Sequence, residues 1–332
     1  MTSCIGEDDV RFESTATGEA QLNTGSTPDG IPLSYHRQLK PELRPWFSRI
    51  HATNVAWHGK SALDCSFCND TATLRLFTGA QWSLATKDGE VQFANRIYLV
   101  GPQSQAMPCK STGPILVLGV SVRAGALHCL TGLHADTIVD RIESVRAMGL
   151  ELEEFHELKD AEMRPDRAFE IIEGILTDLI ERRQPRHPDA VTTAFDLGAF
   201  TDPNMSISGF AESHGIGVRQ LERRIKRDFG LTPKQVLRRA RALDLGAQLC
   251  GVADEQEAEE VIARYSDQSH LIREFTAFFR QTPKRFAAAK PPIMTMNLEH
   301  RQSRRLEELE RLGPDDAPPW GRRKTGAQLR QP

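Results

Sequence analysis

Two stretches of this chain match each other at an offset of fifty residues. Residues 217–234 read GVRQLERRIKRDFGLTPK, and residues 267–284 read DQSHLIREFTAFFRQTPK. Leu221 aligns with Leu271, Arg223 with Arg273, Ile225 with Phe275 and Phe229 with Phe279, and Thr232-Pro233-Lys234 aligns with Thr282-Pro283-Lys284. A fixed internal period is the mark of a repeated structural unit, so this region is expected to fold as a pair of similar helical units. In the first, Val218, Leu221, Ile225 and Phe229 recur at helical spacing and form an apolar stripe. The opposite face carries Arg219, Gln220, Arg223, Lys226 and Arg227.

Just upstream, Ile207, Phe210, Ala211 and His214 mark a shorter helix, and His214-Gly215 supplies a turn in which glycine accepts positive φ. A short helix, a glycine turn and a basic helix make a helix-turn-helix. In that motif the second helix enters the major groove, and its N-terminal residues reach base edges. Arginine can bond both acceptors of guanine, and glutamine both groups of adenine. Lys226 and Arg227 lie further along, where phosphates are met; Lys234 and Lys284, in the two Thr-Pro-Lys steps, suit the same role. Each Thr-Pro step supplies a cap and a first helical residue. Residues 234–250 between the units read as one helix, about 26 Å long, of the order of the roughly 34 Å repeat of one DNA turn. A basic amphipathic helix alone is weak evidence, since most such helices are merely solvated; the duplication is what gives the reading its weight.

Residues 204–289 resemble the C-terminal DNA-binding domain of the AraC/XylS family of transcription regulators. The resemblance rests on Ser266-Asp267-Gln268-Ser269-His270-Leu271-Ile272-Arg273-Glu274-Phe275 in the second unit, on Gln281-Thr282-Pro283-Lys284-Arg285-Phe286 at its close, and on Val218-Arg219-Gln220-Leu221-Glu222-Arg223-Arg224 in the first. It implies two recognition helices in successive major grooves. Arg219, Gln220, Glu222 and Arg223 would face bases in the first, and Gln268, Ser269, His270 and Arg273 in the second. The chain departs from the family pattern at Gly217, where a capping Ser or Thr is usual, and at Arg264 and Arg280, where Gly is usual. Residues 254–260 hold five acids in seven positions, a composition poorly suited to phosphate and more typical of a solvated helix.

The 332 residues bound the chain at two or three domains. The formal net charge of −3 hides an asymmetry, since residues 204–290 hold 15 Lys and Arg against 11 acids, a local net of +4. No apolar run approaches the roughly 20 residues of a membrane helix, and no secretion signal opens the chain. Six scattered cysteines do not make a disulfide framework, which favours a reducing cytoplasm.

Residues 1–30 are rich in Gly, Ser, Thr, Asp and Glu and read as a disordered lead-in. Short apolar runs at 72–77, 82–85, 96–100 and 115–122, punctuated by Gly79, Asp88-Gly89, Gly101-Pro102 and Gly113-Pro114, read as a small antiparallel β domain. A helix is expected over 124–133. Tyr98-Leu99-Val100-Gly101-Pro102-Gln103-Ser104 and Leu118-Gly119-Val120-Ser121-Val122-Arg123-Ala124-Gly125-Ala126 resemble the N-terminal β domain of a subgroup of AraC-type regulators, with Ala124-Gly125 where a Pro-Gly step is usual. That resemblance implies a half-barrel module for sensing or dimerisation and names no ligand. Ala168, Ile171, Ile172, Ile175, Leu176, Leu179 and Ile180 make one amphipathic helix that stops before Pro185; it suits either a dimer contact or packing on its own β domain. Pro188-Asp189 opens a further helix to about Phe200. The expected class is thus α+β: lead-in 1–30, half-barrel-like β domain 31–150, helical linker 151–187, all-α double helix-turn-helix domain 188–290 and a polar, partly basic tail 291–332 with room for a short helix around 298–312.

Cys65 and Cys68 form a lone Cys-x-x-Cys. A structural zinc site needs four ligands, and His51, His58, Cys109, His128 and Cys129 have no metal-site spacing, so neither metal nor cofactor is expected. Trp46, Trp57 and Trp82 suit a core better than a pocket. No nucleophile-and-base set or phosphate loop is present, so no catalytic residue is assigned. The resemblance implies double-stranded promoter DNA as partner and admits RNA polymerase, a small-molecule effector and a second copy of the chain; no membrane is expected. Two alternatives stand beside a regulator: a helical interaction protein with a degenerate second unit, and a cysteine-based alkyl-accepting repair regulator, for which the cysteines are too few and too scattered.

Overall fold

The computed structural model describes residues 34–55, 63–113, 115–159, 165–252, 268–289 and 291–310. The fold is α+β, with an antiparallel sheet in the N-terminal part and helices in the C-terminal part. The strands are β1 (Ser34–Arg37), β2 (Phe47–Val55), β3 (Leu63–Phe67), β4 (Thr73–Thr86), β5 (Gly89–Val100), β6 (Met107–Thr112), β7 (Ile115–Val122) and β8 (Ile142–Ser144). Their order is β1-β2-β7-β4-β5-β8, with β6 pairing both β3 and β4.

The runs expected at 72–77 and 82–85 are one bent strand. In β4 the register slips between Phe77 and Gln81; before the slip the strand pairs with β7 and after it with β6. Gly79 takes φ +77 at that corner, and its N–H donates to Asn95 Oδ1 at 3.2 Å. A bulge of this kind bends the strand and curls the sheet. Strand β2 was not anticipated. Its Phe47, Ile50 and Ala52 are buried, but so are Arg49, His51 and Thr53, because both faces are covered. With polar residues inside, the period of two disappears from the sequence.

Helix α1 (Ala126–Thr131) lies where a helix was expected. Helix α2 (Pro165–Arg183) places Phe169, Ile172, Leu176 and Leu179 in one core with Leu39, Leu43, Phe47 and Ile50. Its apolar face is thus covered by its own β domain. Glu173 is buried there and accepts from Arg37 Nη1 and Nη2 at 2.8 and 2.9 Å and from the Lys40 amide at 2.9 Å.

Helices α3 (Ala190–Thr201), α4 (Ile207–Ser213), α5 (Val218–Phe229), α6 (Pro233–Leu249), α7 (Gln268–Phe279) and α8 (Pro283–Ala289) follow. Asp189 caps α3 by accepting from Val191 N. Thr232 and Gln235 close a capping box on α6 with Pro233 in its first turn, so the Thr-Pro step acts as its sequence implied. Helix α6 serves two cores. Val236, Leu237 and Ala240 join Phe195, Leu221, Ile225 and Phe229, whereas Ala242, Leu243 and Leu245 join Leu271, Phe275, Phe279 and Phe286. The connector therefore ties both units together by burial.

Within the expected polar tail, where a short helix was read around 298–312, residues 292–310 form a longer, packed helix, α9 (Pro292–Glu310). Ile293, Met294, Met296 and Leu298 are buried, and so are Arg301, Gln302, Arg304 and Arg305. The arginines that read as solvent-facing are matched by acids from distant elements. Arg301 donates to Asp244 Oδ1 at 2.5 Å and Asp70 Oδ2 at 3.0 Å, and Arg304 pairs with Asp196. In return, Glu307 pairs with Arg49 and Glu308 with Arg123. The helix thus bridges the sheet and the helical part. Arg239 of α6 adds direct bonds to the Gln103 and Asp70 carbonyls at 3.0 and 2.6 Å. No helix among the described residues is long and apolar enough to cross a membrane.

Candidate nucleic-acid interface

Helix α5 sorts its residues by face. Leu221 and Ile225 are fully buried, while Arg219, Gln220, Glu222 and Arg223 are exposed. The one departure from the expected apolar stripe is Val218, exposed at the helix start. Gly217 caps the helix without a side-chain bond, and Gly215 takes φ +63 in the turn before it. Four polar side chains therefore stand in the first two turns of a helix whose other side is fixed in a core.

The basic residues nearer the C-terminus of α5 have acidic neighbours. Lys226 Nζ lies 3.7 Å from Asp136 Oδ2, in a short 3-10 turn of the N-terminal part. Arg227 donates to both oxygens of Asp228 at 2.6 and 2.9 Å, and that bond raises its pKa above the ordinary guanidinium value despite burial. Asp228 is also held by Thr192 Oγ1 at 2.5 Å. A phosphate meeting Arg227 would share it with a buried carboxylate. Lys234 and Lys284 are exposed at the starts of α6 and α8.

In the second unit, α7 buries Leu271, Phe275, Phe278 and Phe279 and exposes Ile272 and Arg273. Gln268, Ser269 and His270 form its first turn; their side chains lie outside the described residues, as do the acidic run 254–260 and Arg264. Arg280 ends α7 at φ +57, in the left-handed region, where its counterpart Gly230 ends α5 at φ +77. Such a conformation costs a side-chain-bearing residue about 1 kcal/mol or more. Arg280 Nε donates to Gln105 Oε1 at 3.0 Å, a bond to the N-terminal part that glycine could not make.

The cysteine and histidine candidates separate in space. Cys65 faces Cys109 across β3 and β6, Sγ to Sγ 3.1 Å, not Cys68. Cys68 packs with α6 and α7, and burial pushes its thiol well up. His128 and Cys129 sit on α1, with Cys129 Sγ 3.6 Å from the His187 carbonyl, and His58 and Trp57 lie outside the described residues. Trp46 and Trp82 are buried. No group of three or more His, Cys, Asp or Glu among the described residues could hold a metal.

A buried imidazole cluster escaped the sequence reading. His51 of β2 and His36 of β1 meet His300 of α9 at ring-centroid distances of 4.5 and 4.8 Å. Nothing local signals that contact, because His300 lies more than two hundred residues away in a stretch read as tail. Burial, then the neighbouring cations and imidazoles, holds both His51 and His300 well below the ordinary imidazole range. The unfolded chain then binds more protons than the folded one. Stability is full above about pH 6.5 and falls as pH drops below it, by up to about 1.4 kcal/mol per pH unit for each ring. Urea midpoints between pH 7.5 and 5.5 check this: a His51→Asn variant is expected to show a shallower slope than the parent, and an equal slope would count against it.

The family described as helix-turn-helix domain matches residues 210–289, from within α4 to the end of α8. The C-terminal region is an AraC-type helix-turn-helix domain. The match spans about a quarter of the chain and supports DNA binding by this region. A comparison with curated proteins finds no match. Among solved structures, ToxT from Vibrio cholerae is 9% identical, with 72% of this chain and 98% of that chain covered and a TM-score of 0.46. The same protein with an unsaturated fatty acid bound gives 10% identity, 76% and 96% coverage and 0.41. The AraC-like transcriptional activator CuxR gives 13%, 64% and 86%, and 0.24. At such scores no residue role is carried over, and the family match over 210–289 bears the assignment.

Proposed function

We propose that this chain is an AraC-type transcription regulator that reads a specific promoter sequence with α5 and α7 in successive major grooves. The observation that carries the reading is the exposed row Arg219, Gln220, Glu222 and Arg223 on a helix whose opposite side is locked into the core by Leu221 and Ile225. A rigid helix presenting polar groups is what base readout requires. Gln268, Ser269, His270 and Arg273 are the corresponding readers of α7. Lys226, Arg227, Lys234 and Lys284 are the phosphate contacts, with Lys234 and Lys284 the stronger pair because Lys226 and Arg227 already have acidic neighbours. The seventeen residues of α6 span about 26 Å, in keeping with two helices about one DNA turn apart.

The N-terminal β domain senses an effector or carries a dimer contact, and RNA polymerase is the further partner through which occupancy changes transcription. The regulator acts by position, with the sheet biasing how the reading helices sit; no residue is assigned a catalytic role. The alkyl-accepting alternative needs a reactive thiolate, whereas burial pushes the Cys68, Cys129 and Cys250 thiols up.

Arg273→Ala separates a two-helix reader from a one-helix reader. Measured by fluorescence anisotropy on a selected duplex, the variant is expected to lose about 1–3 kcal/mol of binding free energy and to relax base preference in one half of the site. Unchanged affinity would assign reading to α5 alone and would favour the view that the second unit serves a different contact.

A further inference from the structure

Between the sheet and α9 lies a cavity of about 60 Å³, walled by Asn69, Arg75 and His51 from the β domain and by Asn297 and His300 from α9. Arg75 is 5% exposed. Its Nη2 donates to Asn69 Oδ1 at 3.0 Å, and its guanidinium lies 4.6 Å from the Phe67 ring centroid. The other charged side chains of the wall have charged partners: Asp70 is taken by Arg301 and Arg239, Arg49 by Glu307 and Arg304 by Asp196. Arg75 has no carboxylate partner among the described residues. Burial lowers its pKa to about 10, opposed only by the Cys109 and Cys68 thiols, so it stays charged at neutral pH.

A buried cation without a counter-charge is costly. An aromatic face attracts the cation but accepts none of its in-plane N–H bonds. Arg49 Nε and Arg304 Nε of the wall also make no hydrogen bond, but those side chains are paired to Glu307 and Asp196; Arg75 Nε and Asn69 Nδ2 are the unmatched buried donors on side chains without a carboxylate partner among the described residues. Two donors, one of them charged, lining one small cavity form a receptor for an acceptor-only group carrying negative charge.

We propose that this cavity binds a small oxyanion, a short-chain carboxylate or a phosphate, held by Arg75 and Asn69. The volume fits a group of acetate or phosphate size. The proposal deepens the effector role suggested above for the β domain and rests on it only for its consequence, not for binding. That consequence follows from the roof. Asn297 and His300 belong to α9, and the next residue, Arg301, is bonded to Asp244 of α6, the helix joining the two reading units. An anion seated under α9 therefore bears on the element that spaces them.

The test uses the full chain without DNA. Melting temperature is followed in chloride buffer while sodium acetate or sodium phosphate is added at constant ionic strength, for the parent, Arg75→Met and Asn69→Ala. The parent is expected to rise by several degrees with at least one of the two probes, Arg75→Met not at all and Asn69→Ala less than the parent. A rise with acetate alone names a carboxylate, and a rise with phosphate alone a phosphate. No rise in the parent with either probe, or an equal rise in Arg75→Met, overturns the site and leaves Arg75 satisfied by water. Should Arg75→Met fail to fold, a crystal structure of the parent grown with the active probe decides: density bonded to Arg75 Nε supports the proposal, and an anion elsewhere overturns it. Affinity for the selected duplex, measured separately with and without the active probe, tests the effector role: a positive melt with unchanged affinity keeps the site and discards that role, so the two readings fail separately.

Discussion

Asp244→Ala is expected to destabilise the folded chain by about 3–5 kcal/mol, the usual cost of stripping one partner from a buried ion pair. Asp244 is 3% exposed and accepts from Arg301 Nη1 at 2.5 Å, with Arg305 Nη1 at 3.8 Å. Removing the carboxylate leaves two buried guanidinium groups sharing what remains. Among the described residues, Asp70, at 3.0 Å, would be the carboxylate left to Arg301. Because Asp70 belongs to the sheet side and Asp244 to α6, the same change loosens the strap between the two halves. Urea unfolding checks both effects. The midpoint should fall and the transition should broaden toward two steps, since coupling across an interface is what makes separate cores melt together. The double change Asp244→Leu with Arg301→Met should recover much of the loss, because a buried pair replaced by apolar residues of similar size is often neutral. A loss below about 0.5 kcal/mol for Asp244→Ala, the range of an ordinary surface change, would mean that α9 does not clamp the fold.

Arg223→Ala is the second large effect, and it concerns recognition rather than stability. Arg223 is exposed on the second turn of α5, one residue from Glu222 and clear of the buried stripe. Its truncation removes no core contact, so the melting temperature should hardly move. Binding to the selected site should weaken by about 1–3 kcal/mol with relaxed preference at one base pair, as for an arginine bonded to guanine. Affinity for random DNA should stay close to the parent. Equal losses on both, with a shallower salt dependence, would move Arg223 to a phosphate role. Lys234→Ala offers the contrast, with a near-uniform loss on all sequences.

Helices α5 and α7 were legible because their sequences carry local signals. In α5 the buried and exposed residues alternate with a helical period, and Thr232-Pro233 marks the start of α6. The duplication then aligned the second unit with the first. What stayed hidden depends on partners remote in sequence. Strand β2 lost its alternation because Arg49 and His51 point into a space closed by α9. Helix α9 read as a short helix in a polar tail, and its packing stayed hidden, because Arg301 and Arg304 look solvated until Asp70, Asp244 and Asp196 are placed beside them. Cys65 and Cys68 stand three residues apart in sequence, yet β3 ends at Phe67, before Cys68, and the register sets Cys65 against Cys109. The departure at Arg280 was visible, but its left-handed backbone and its bond to Gln105 were not.

The most direct test of the central claim is a binding selection from genomic fragments with the purified full chain, repeated across salt. Recovery of a motif with two sequence blocks about one helical turn apart, about 10 base pairs, is the expected result. Loss of one block with Arg223→Ala and of the other with Arg273→Ala would assign each to its helix. Failure to enrich any motif, from a folded protein and with acetate or phosphate supplied, would contradict the account of this chain as a sequence-specific reader.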